Sequence, residues 1–130
     1  MFTLDTNALI YFFKGKGRVA EHLLAVAPQD IGIPAVVLFE LEVGIAKSPA
    51  PAKRRSQLQQ FLEFVEILPF DTRAAQASAR IRAELESQGQ PIGPLDCLIA
   101  GTALANRATL VTHNLKEFGR IKGLELVDWF

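Results

Sequence analysis

The chain of 130 residues has one cysteine and no net charge, since 14 basic residues balance 14 acidic ones. A single cysteine, Cys97, excludes an internal disulfide framework and fits a reducing compartment. We expect its side chain to be a small buried apolar group. The balanced charge excludes a molecule-wide attraction to polyanions, so any contact with nucleic acid has to come from local basic clusters.

Long hydrophobic runs are also absent, and no apolar segment approaches the roughly 20 residues that span a membrane. The first residues enter strand-like sequence directly, without the basic region and apolar stretch of a signal peptide. We therefore expect a soluble, cytoplasmic protein with no membrane partner. Hydrophobic residues make up 49% of the chain. Their even spread predicts one core and a single domain over residues 1–130.

Short apolar segments typical of strands alternate with longer helical patterns. The predicted strands are Phe2–Leu4, Ile31–Ile33, Val65–Phe70, Thr109–Thr112 and Leu124–Val127. The predicted helices are Ala8–Phe13, Val19–Val26, Ala35–Lys47, a segment marked by Leu58, Phe61, Leu62 and Val65, one that begins after Asp71, and Leu95–Asn106. This alternation predicts a three-layer α/β/α sandwich with a mainly parallel sheet of about five strands.

Polar residues stand where the predicted strands end, and ligands bind at that edge of open α/β sheets. Asp5 ends the first strand, and His113 and Asn114 follow the fourth. Asp96 lies in the first turn of a helix that is entered from a Gly-Pro loop. We expect these positions to converge at one edge of the sheet.

Asp5 and Asp96 each have a structural explanation beside the functional one. We expect Thr6 or Asn7 to be the N-cap of the first helix. Asp5 can also cap it, but it is not needed for that role, which favours a functional role for Asp5. Asp96 can stabilise the N-terminus of its helix. Small residues on the following turns of that helix leave room for an ion, water or phosphate beside Asp96.

Helical periodicity does not separate Glu40 from Glu42, because both have apolar neighbours one turn away. Their helix is apolar all round and is therefore expected to be largely buried. A buried carboxylate needs a partner, a raised pKa or a metal ion. We expect one of the two to be functional or to lie at an interface. Clustered carboxylates without nearby cysteines favour Mg²⁺ or Mn²⁺, which activate water in phosphodiester hydrolysis.

Four segments in order resemble the PIN-domain ribonucleases, and most closely the VapC-type toxins of bacterial toxin–antitoxin pairs. They are Leu4–Asn7, Glu40–Gly44, Pro91–Asp96 and Val111–Asn114. Each motif alone is weak, whereas four in order at this spacing are specific. The likeness covers essentially the whole chain.

The resemblance implies that Asp5, Glu40 and Asp96 are catalytic and bind the metal ion. It favours Glu40 over Glu42, because the family's Glu lies four residues before a Gly. The fourth catalytic position, often Asp in the family, is Asn114 here. A neutral amide would hold a second ion more weakly, and Glu117 is close enough in sequence to help, so one ion or two remains open.

The resemblance further implies a metal-dependent endoribonuclease that cleaves single-stranded or looped RNA as the toxin of such a pair. Toxins of this kind are typically homodimers, and they bind the C-terminal tail of a small cognate antitoxin across the acidic site. The alternatives are a catalytically silent PIN-like interaction module and a housekeeping RNA-processing nuclease.

Two other phosphate-handling classes share this α/β plan but need acids that are missing here. A haloacid-dehalogenase-like phosphatase requires a second Asp where Asn7 stands. A receiver domain would use Asp71 as phosphoacceptor beside an acid pair, of which only Asp5 is present. We therefore expect Asp71 only to cap a helix. The segment Gly15–Gly17 lacks the spacing of a phosphate-binding loop.

The remaining polar and aromatic candidates have mainly structural interpretations. Two basic clusters, Lys14–Arg18 and Lys53–Arg55, are expected to be solvated surface charge, although either can contact RNA phosphates. The roles of Arg80, Arg82 and His113 stay open, with RNA or antitoxin contacts considered for the arginines and packing or hydrogen bonding for His113. Neither His22 nor His113 has the spacing of a metal ligand. Phe61, Leu62 and Val65 are expected to be core or dimer contacts.

Overall fold

Five short strands form one parallel sheet in the computed structural model, which describes all 130 residues. The strands are β1 (Phe2–Leu4), β2 (Ile31–Pro34), β3 (Glu66–Leu68), β4 (Thr109–Val111) and β5 (Leu126–Val127). They lie in the order β3-β2-β1-β4-β5, and every neighbouring pair is parallel. The chain runs outward from β1 to β3 on one side and resumes with β4 on the other, which creates a topological switch beside β1.

Seven helices connect these strands. They are α1 (Thr6–Lys14), α2 (Val19–Leu24), α3 (Ala35–Ala46), α4 (Pro51–Leu62), α5 (Thr72–Ser87), α6 (Pro94–Ala105) and α7 (Leu115–Phe118), with a short 3₁₀ turn at Pro28–Asp30. Right-handed crossovers place α1–α4 on one face of the sheet and α5–α7 on the other. The predicted three-layer α/β/α sandwich is therefore confirmed. None of the helices has the length and hydrophobicity needed to cross a membrane.

The register of the central strands sets the position of the polar residues that follow them. Leu4 of β1 pairs with Val111 of β4, and the backbone N–H of Asp5 donates to the Val111 carbonyl at 3.1 Å. Both strands end in side chains that are at most 1% exposed. Asp5 and Thr112 therefore leave the buried sheet side by side at the switch point.

Two features of the helices differ from the expectations. Helix α3 is not largely buried, because Phe39 is 57% exposed and Val43 is 37% exposed. Its apolar residues surround the helix, but only one side of α3 packs against the sheet, so the other side meets solvent. Helix α7 has no predicted counterpart, since its four residues are too few to show a helical period.

Helices α5 and α6 approach each other closely at Gly101. A Cβ atom at this position would clash with the Ser78 hydroxyl and lie 2.7 Å from the Ser78 backbone nitrogen. The Ser78 hydroxyl cannot easily turn away, because it donates to the carbonyl of Ala74 at 2.7 Å. Only glycine allows this separation between the two helices.

We expect Gly101→Ala to destabilise the fold by about 1–3 kcal/mol, the usual cost of overpacking a core contact. This should lower the midpoint of thermal unfolding by several degrees, measured by circular dichroism. The matched control is Gly44→Ala in helix α3, where an added Cβ meets nothing within 4 Å. That change should keep or raise the midpoint, because alanine favours the helix. Equal midpoints for the two variants would contradict the close contact.

Candidate active site

Asp5 is 5% exposed, and both of its carboxylate oxygens accept hydrogen bonds. The backbone N–H of Ala8 donates to Oδ1 at 2.8 Å, and the Thr112 hydroxyl donates to Oδ2 at 2.6 Å. The first of these bonds makes Asp5 the N-cap of α1. The expectation that Thr6 or Asn7 provides the cap is wrong, because the backbone turns from extended to helical at Asp5 and Thr6 is already in the helix.

Thr6 instead connects α1 to α3. Its hydroxyl donates to Oε1 of Glu40 at 2.6 Å. Because Thr6 directly follows Asp5, this contact brings the Glu40 carboxylate to the end of β1. Glu42 has a different environment, since its Oε2 lies 2.7 Å from Nη1 of Arg55 in an exposed ion pair. The structure thus places Glu40 with Asp5 and places Glu42 on the surface, a distinction that periodicity alone did not make.

Asp96 lies half-buried in the first turn of α6. Its pKa is raised to about 6, mainly by burial and then by the carboxylates of Asp5, Glu40 and Glu117. The start of α1, helix α3 and helix α7 are distant in sequence, yet each brings one carboxylate close enough to affect the pKa of Asp96. Glu117 belongs to this group, although the sequence pattern assigned it no definite role.

Asn114 caps α7 and orients Glu117. Its Oδ1 accepts from the Glu117 backbone N–H at 3.3 Å, and its Nδ2 donates to Oε2 of Glu117 at 3.2 Å. Asn114 therefore contributes to the site through a neighbouring carboxylate. The spacing of a cap residue and a Glu three positions later is the pattern of a capping box, and it is the sequence feature that points to Glu117.

Thr112 was not singled out as a site residue in the sequence, yet its buried hydroxyl joins two of the groups described above. It donates to Asp5 and accepts from the backbone N–H of Asn114 at 3.0 Å. Both contacts are directional, so Thr112 fixes the carboxylate of Asp5 relative to the start of α7. A threonine directly after a buried strand is the only local feature that could have indicated this role.

The acidic group has no basic partner. Burial raises the pKa of Asp5, the Thr112 and Ala8 hydrogen bonds oppose this, and the carboxylates of Glu40 and Asp128 raise the pKa of Asp5 again. None of the ion pairs in the structure includes Asp5, Glu40, Asp96 or Glu117. Uncompensated carboxylates fit a hard divalent cation.

The acids do not form a closed ligand cage as they stand. No group of three or more His, Cys, Asp or Glu side chains has the arrangement that holds a metal ion. The donor chemistry thus fits Mg²⁺ or Mn²⁺, while the side chains would have to draw closer around such an ion. Glu40 and Glu117 have the longer, more adaptable side chains for that movement.

Several other candidates have structural roles. Asp71 accepts from the backbone N–H of Ala74 at 3.0 Å, which confirms it as a helix cap, and Cys97 is buried as expected. Phe61 packs against Phe12 and Phe13. His22 stacks on Trp129.

The basic candidates lie on the surface. Arg18, Arg55 and Arg82 form exposed ion pairs with Glu21, Glu42 and Glu86. Arg80 lines a separate cleft of about 260 Å³ with Arg120 and Lys122. These positions agree with solvated surface charge.

Comparison with known proteins agrees with the fold. The PIN domain family model matches residues 2–124. A protein of Salmonella typhimurium, the tRNA(fMet)-specific endonuclease VapC, is 38% identical over 128 residues, covering 98% of this chain and 97% of that protein. Ribonuclease VapC2 of Rickettsia felis is 39% identical over 131 residues, covering 99% of this chain and 98% of that protein.

A solved structure gives the same result in three dimensions. The VapBC2 complex of Rickettsia felis bound to a DNA fragment from its promoter contains a chain that matches with a TM-score of 0.92 and 38% identity, covering 99% of this chain and 98% of that chain. A parallel sheet with acids at its switch point thus defines the class, and the chain belongs to the PIN domain family. Its full-length likeness to VapC ribonucleases confirms the VapC-type resemblance seen in the four motifs.

The raised pKa of Asp96 gives an expected pH dependence of stability in EDTA. The pKa is about 6 in the folded chain and has its ordinary value of 3.8 in the unfolded chain. Between these values the folded state binds more protons, so stability falls as the pH rises. The unfolding midpoint should therefore be higher at pH 5 than at pH 7.

Asp96→Asn should weaken this pH dependence, measured by differential scanning fluorimetry across the same range. Glu63→Gln, which removes an exposed carboxylate at the end of α4, should leave the dependence as in the unmodified chain. An unchanged slope in Asp96→Asn would contradict the assignment of the raised pKa.

Proposed function

We propose that residues 1–130 form one PIN-like domain that acts as a divalent-metal-dependent endoribonuclease and as the toxin of a toxin–antitoxin pair. The observation that supports this most directly is the group of four carboxylates at the switch point, which no basic side chain neutralises. The names of the VapC relatives support a ribonuclease.

Asp5, Glu40 and Asp96 are the residues that would hold Mg²⁺ or Mn²⁺, with Glu117 as a fourth carboxylate. A bound divalent cation would supply charge neutralisation on the phosphate and an activated water. The chain's own contribution is to hold its acids in place. Thr112 and the Ala8 N–H fix Asp5, Thr6 fixes Glu40, and Asn114 directs Glu117.

The name of the Salmonella relative makes initiator tRNA the first substrate to test. The acids lie where β1 and β4 end, at the edge of the sheet. Selectivity among RNAs would then depend on groups around the acids. Elongator tRNAs and an unstructured RNA strand serve as comparison substrates.

The first test measures RNA cleavage in the purified chain. We expect EDTA to abolish cleavage and Mg²⁺ or Mn²⁺ to restore it. Glu40→Gln and Asp96→Asn should each lower kcat by about 100-fold or more, the order of effect seen when a group that stabilises transition-state charge is removed. A calorimetric titration with Mn²⁺ would count the bound ions.

The matched control is Glu42→Gln, two residues along the same helix. It removes only an exposed ion pair, so activity should change by less than about 2-fold. Equal activity in Glu40→Gln, Asp96→Asn and the unmodified chain would refute the site, provided that all of them keep their thermal midpoints. A folded chain that binds Mn²⁺ but cleaves none of the RNAs would favour a silent interaction module.

We further propose that a small antitoxin binds along two connected clefts. One, of about 290 Å³ between α1, α3 and α4, reaches Glu40; the other, of about 420 Å³, is lined by apolar residues that include Leu24 and Phe64. Phe13 and Gln57 line both clefts. Leu24 is 75% exposed and Phe64 is 66% exposed, an apolar surface that a partner would cover.

A homodimer is the second assembly that we propose. Helix α3 exposes Phe39 and Val43 on the side that does not pack against the sheet. Two copies can cover these side chains by packing α3 against its equivalent, as twofold-symmetric dimers do. The clefts for the antitoxin lie on the other side of α3, so both contacts can form at once.

The partner proposals are tested by expression in bacteria. The chain alone should arrest growth, and co-expression of the small protein encoded next to it should relieve the arrest. Phe64→Glu should lose this relief while it keeps RNA cleavage. Light scattering of the purified complex should show two copies of this chain. Harmless high expression of a folded, metal-loaded chain would instead point to a housekeeping nuclease.

A further inference from the structure

Two aromatic rings outside the acidic group stack on each other at the surface. The rings of His113 and Phe130 have centroids 4.3 Å apart and an angle of 24° between their planes. Both are accessible, since the His113 side chain is 49% exposed and Phe130 is 44% exposed. The Tyr11 ring packs edge-on against both. We call His113 and Phe130 the aromatic pair.

The aromatic pair borders the acidic group. His113 directly follows Thr112, whose hydroxyl donates to Asp5. Nδ1 of His113 lies 2.9 Å from Oδ2 of Asp128, and the carboxylate of Asp128 is close enough to raise the pKa of Asp5. The two rings therefore lie on the Asp5 side of the acidic group, where the base of a nucleotide bound at the acids could reach them.

The pair is held in place by the backbone around it. The carbonyl of Phe130 accepts from the backbone N–H of Arg18 at 2.8 Å, and its own N–H donates to Oδ1 of Asp128 at 2.9 Å. Gly17 has a φ of 61°, and a Cβ at Gly17 would lie 2.7 Å from the carbonyl oxygen of Phe130. These contacts fix the orientation of the ring before any ligand arrives.

We propose that the aromatic pair is a stacking platform for one base of single-stranded RNA next to the bond that is cleaved. Proteins that bind unpaired RNA stack its bases on aromatic side chains, histidine included, beside a site that contacts the backbone. The hydrogen bond to Asp128 occupies Nδ1 of His113 and leaves Nε2 available to the bound nucleotide. This inference rests on the proposed ribonuclease function and names a determinant of its substrate.

A stacking platform explains a preference for unpaired RNA. A base inside a duplex is already stacked on its neighbours and cannot reach the rings unless it is displaced. A looped or single-stranded segment offers its bases at little cost. The pair thus selects the state of the RNA more than its sequence, since every base has a face that can stack.

The test combines variants of the pair with single abasic positions in the RNA. His113→Leu and Phe130→Leu keep an apolar side chain but remove the aromatic face, whereas His113→Phe keeps the face. Phe70→Leu is the matched control, because Phe70 is an exposed aromatic residue that follows β3, two strands away from β1. These four variants and the unmodified chain are assayed with a short unstructured RNA and with copies that carry one abasic ribose at each position in turn.

We expect His113→Leu and Phe130→Leu to raise KM by about 10-fold with little change in kcat, in line with the loss of one stacked base. In the unmodified chain, one abasic position next to the cut should have the same effect. When a leucine variant is assayed with the RNA that lacks this base, KM should rise no further than with either change alone. His113→Phe and Phe70→Leu should retain the sensitivity to that abasic position.

The platform is refuted if the leucine variants respond to each abasic RNA as the unmodified chain does. It is also refuted if they lose kcat and thermal stability while KM stays unchanged. The second result would mean that the rings only pack the chain. Binding of the same RNAs to the Asp96→Asn chain, measured by fluorescence anisotropy, separates this question from catalysis. Abasic sensitivity there would support the platform even if the unmodified chain cleaved no RNA, and equal affinities would refute it.

Discussion

The hydrogen bond from the Thr112 hydroxyl to Asp5 joins residues 107 positions apart, and the site is organised around it. It can form because β1 and β4 are neighbours in the sheet and end at the same level. Asp5 holds the start of α1 with its other oxygen, while Thr112 holds the backbone of Asn114 at the start of α7. One hydroxyl and one carboxylate thereby connect two strands and two helices, so the position of each acid depends on the pairing of the sheet.

This arrangement has an electrostatic cost that the fold has to offset. Asp5 is buried, Asp96 is half-buried, and burial and neighbouring carboxylates raise the pKa of both without a basic neighbour. Like charges in a partly desolvated site destabilise the folded state, and the large apolar core beneath the sheet supplies the opposing stabilisation. Residues that lower the stability of the folded state in this way are typical of functional sites.

Much of the fold could be predicted from the alternation of short apolar segments with helical patterns, because parallel strands need helical crossovers. Asp5 and Asp96 could be chosen from their places at a strand end and a helix start. Glu40 could not be separated from Glu42 by periodicity, since the difference between them is a tertiary contact to Thr6 or to Arg55. The cap of α1 was assigned to the wrong residue for a related reason, as any of three consecutive polar residues fits the local pattern.

Asp5 is the N-cap of α1, and Asp96 lies in the first turn of α6. Both helices point their N-terminal ends toward the acids, and each end bears the equivalent of about half a positive charge. These backbone dipoles do not depend on pH, and they remain when the acids bind a metal ion. An anionic ligand that approaches this face meets two fixed sources of positive potential. A chain with no net charge and a site full of carboxylates can in this way still accept a polyanion.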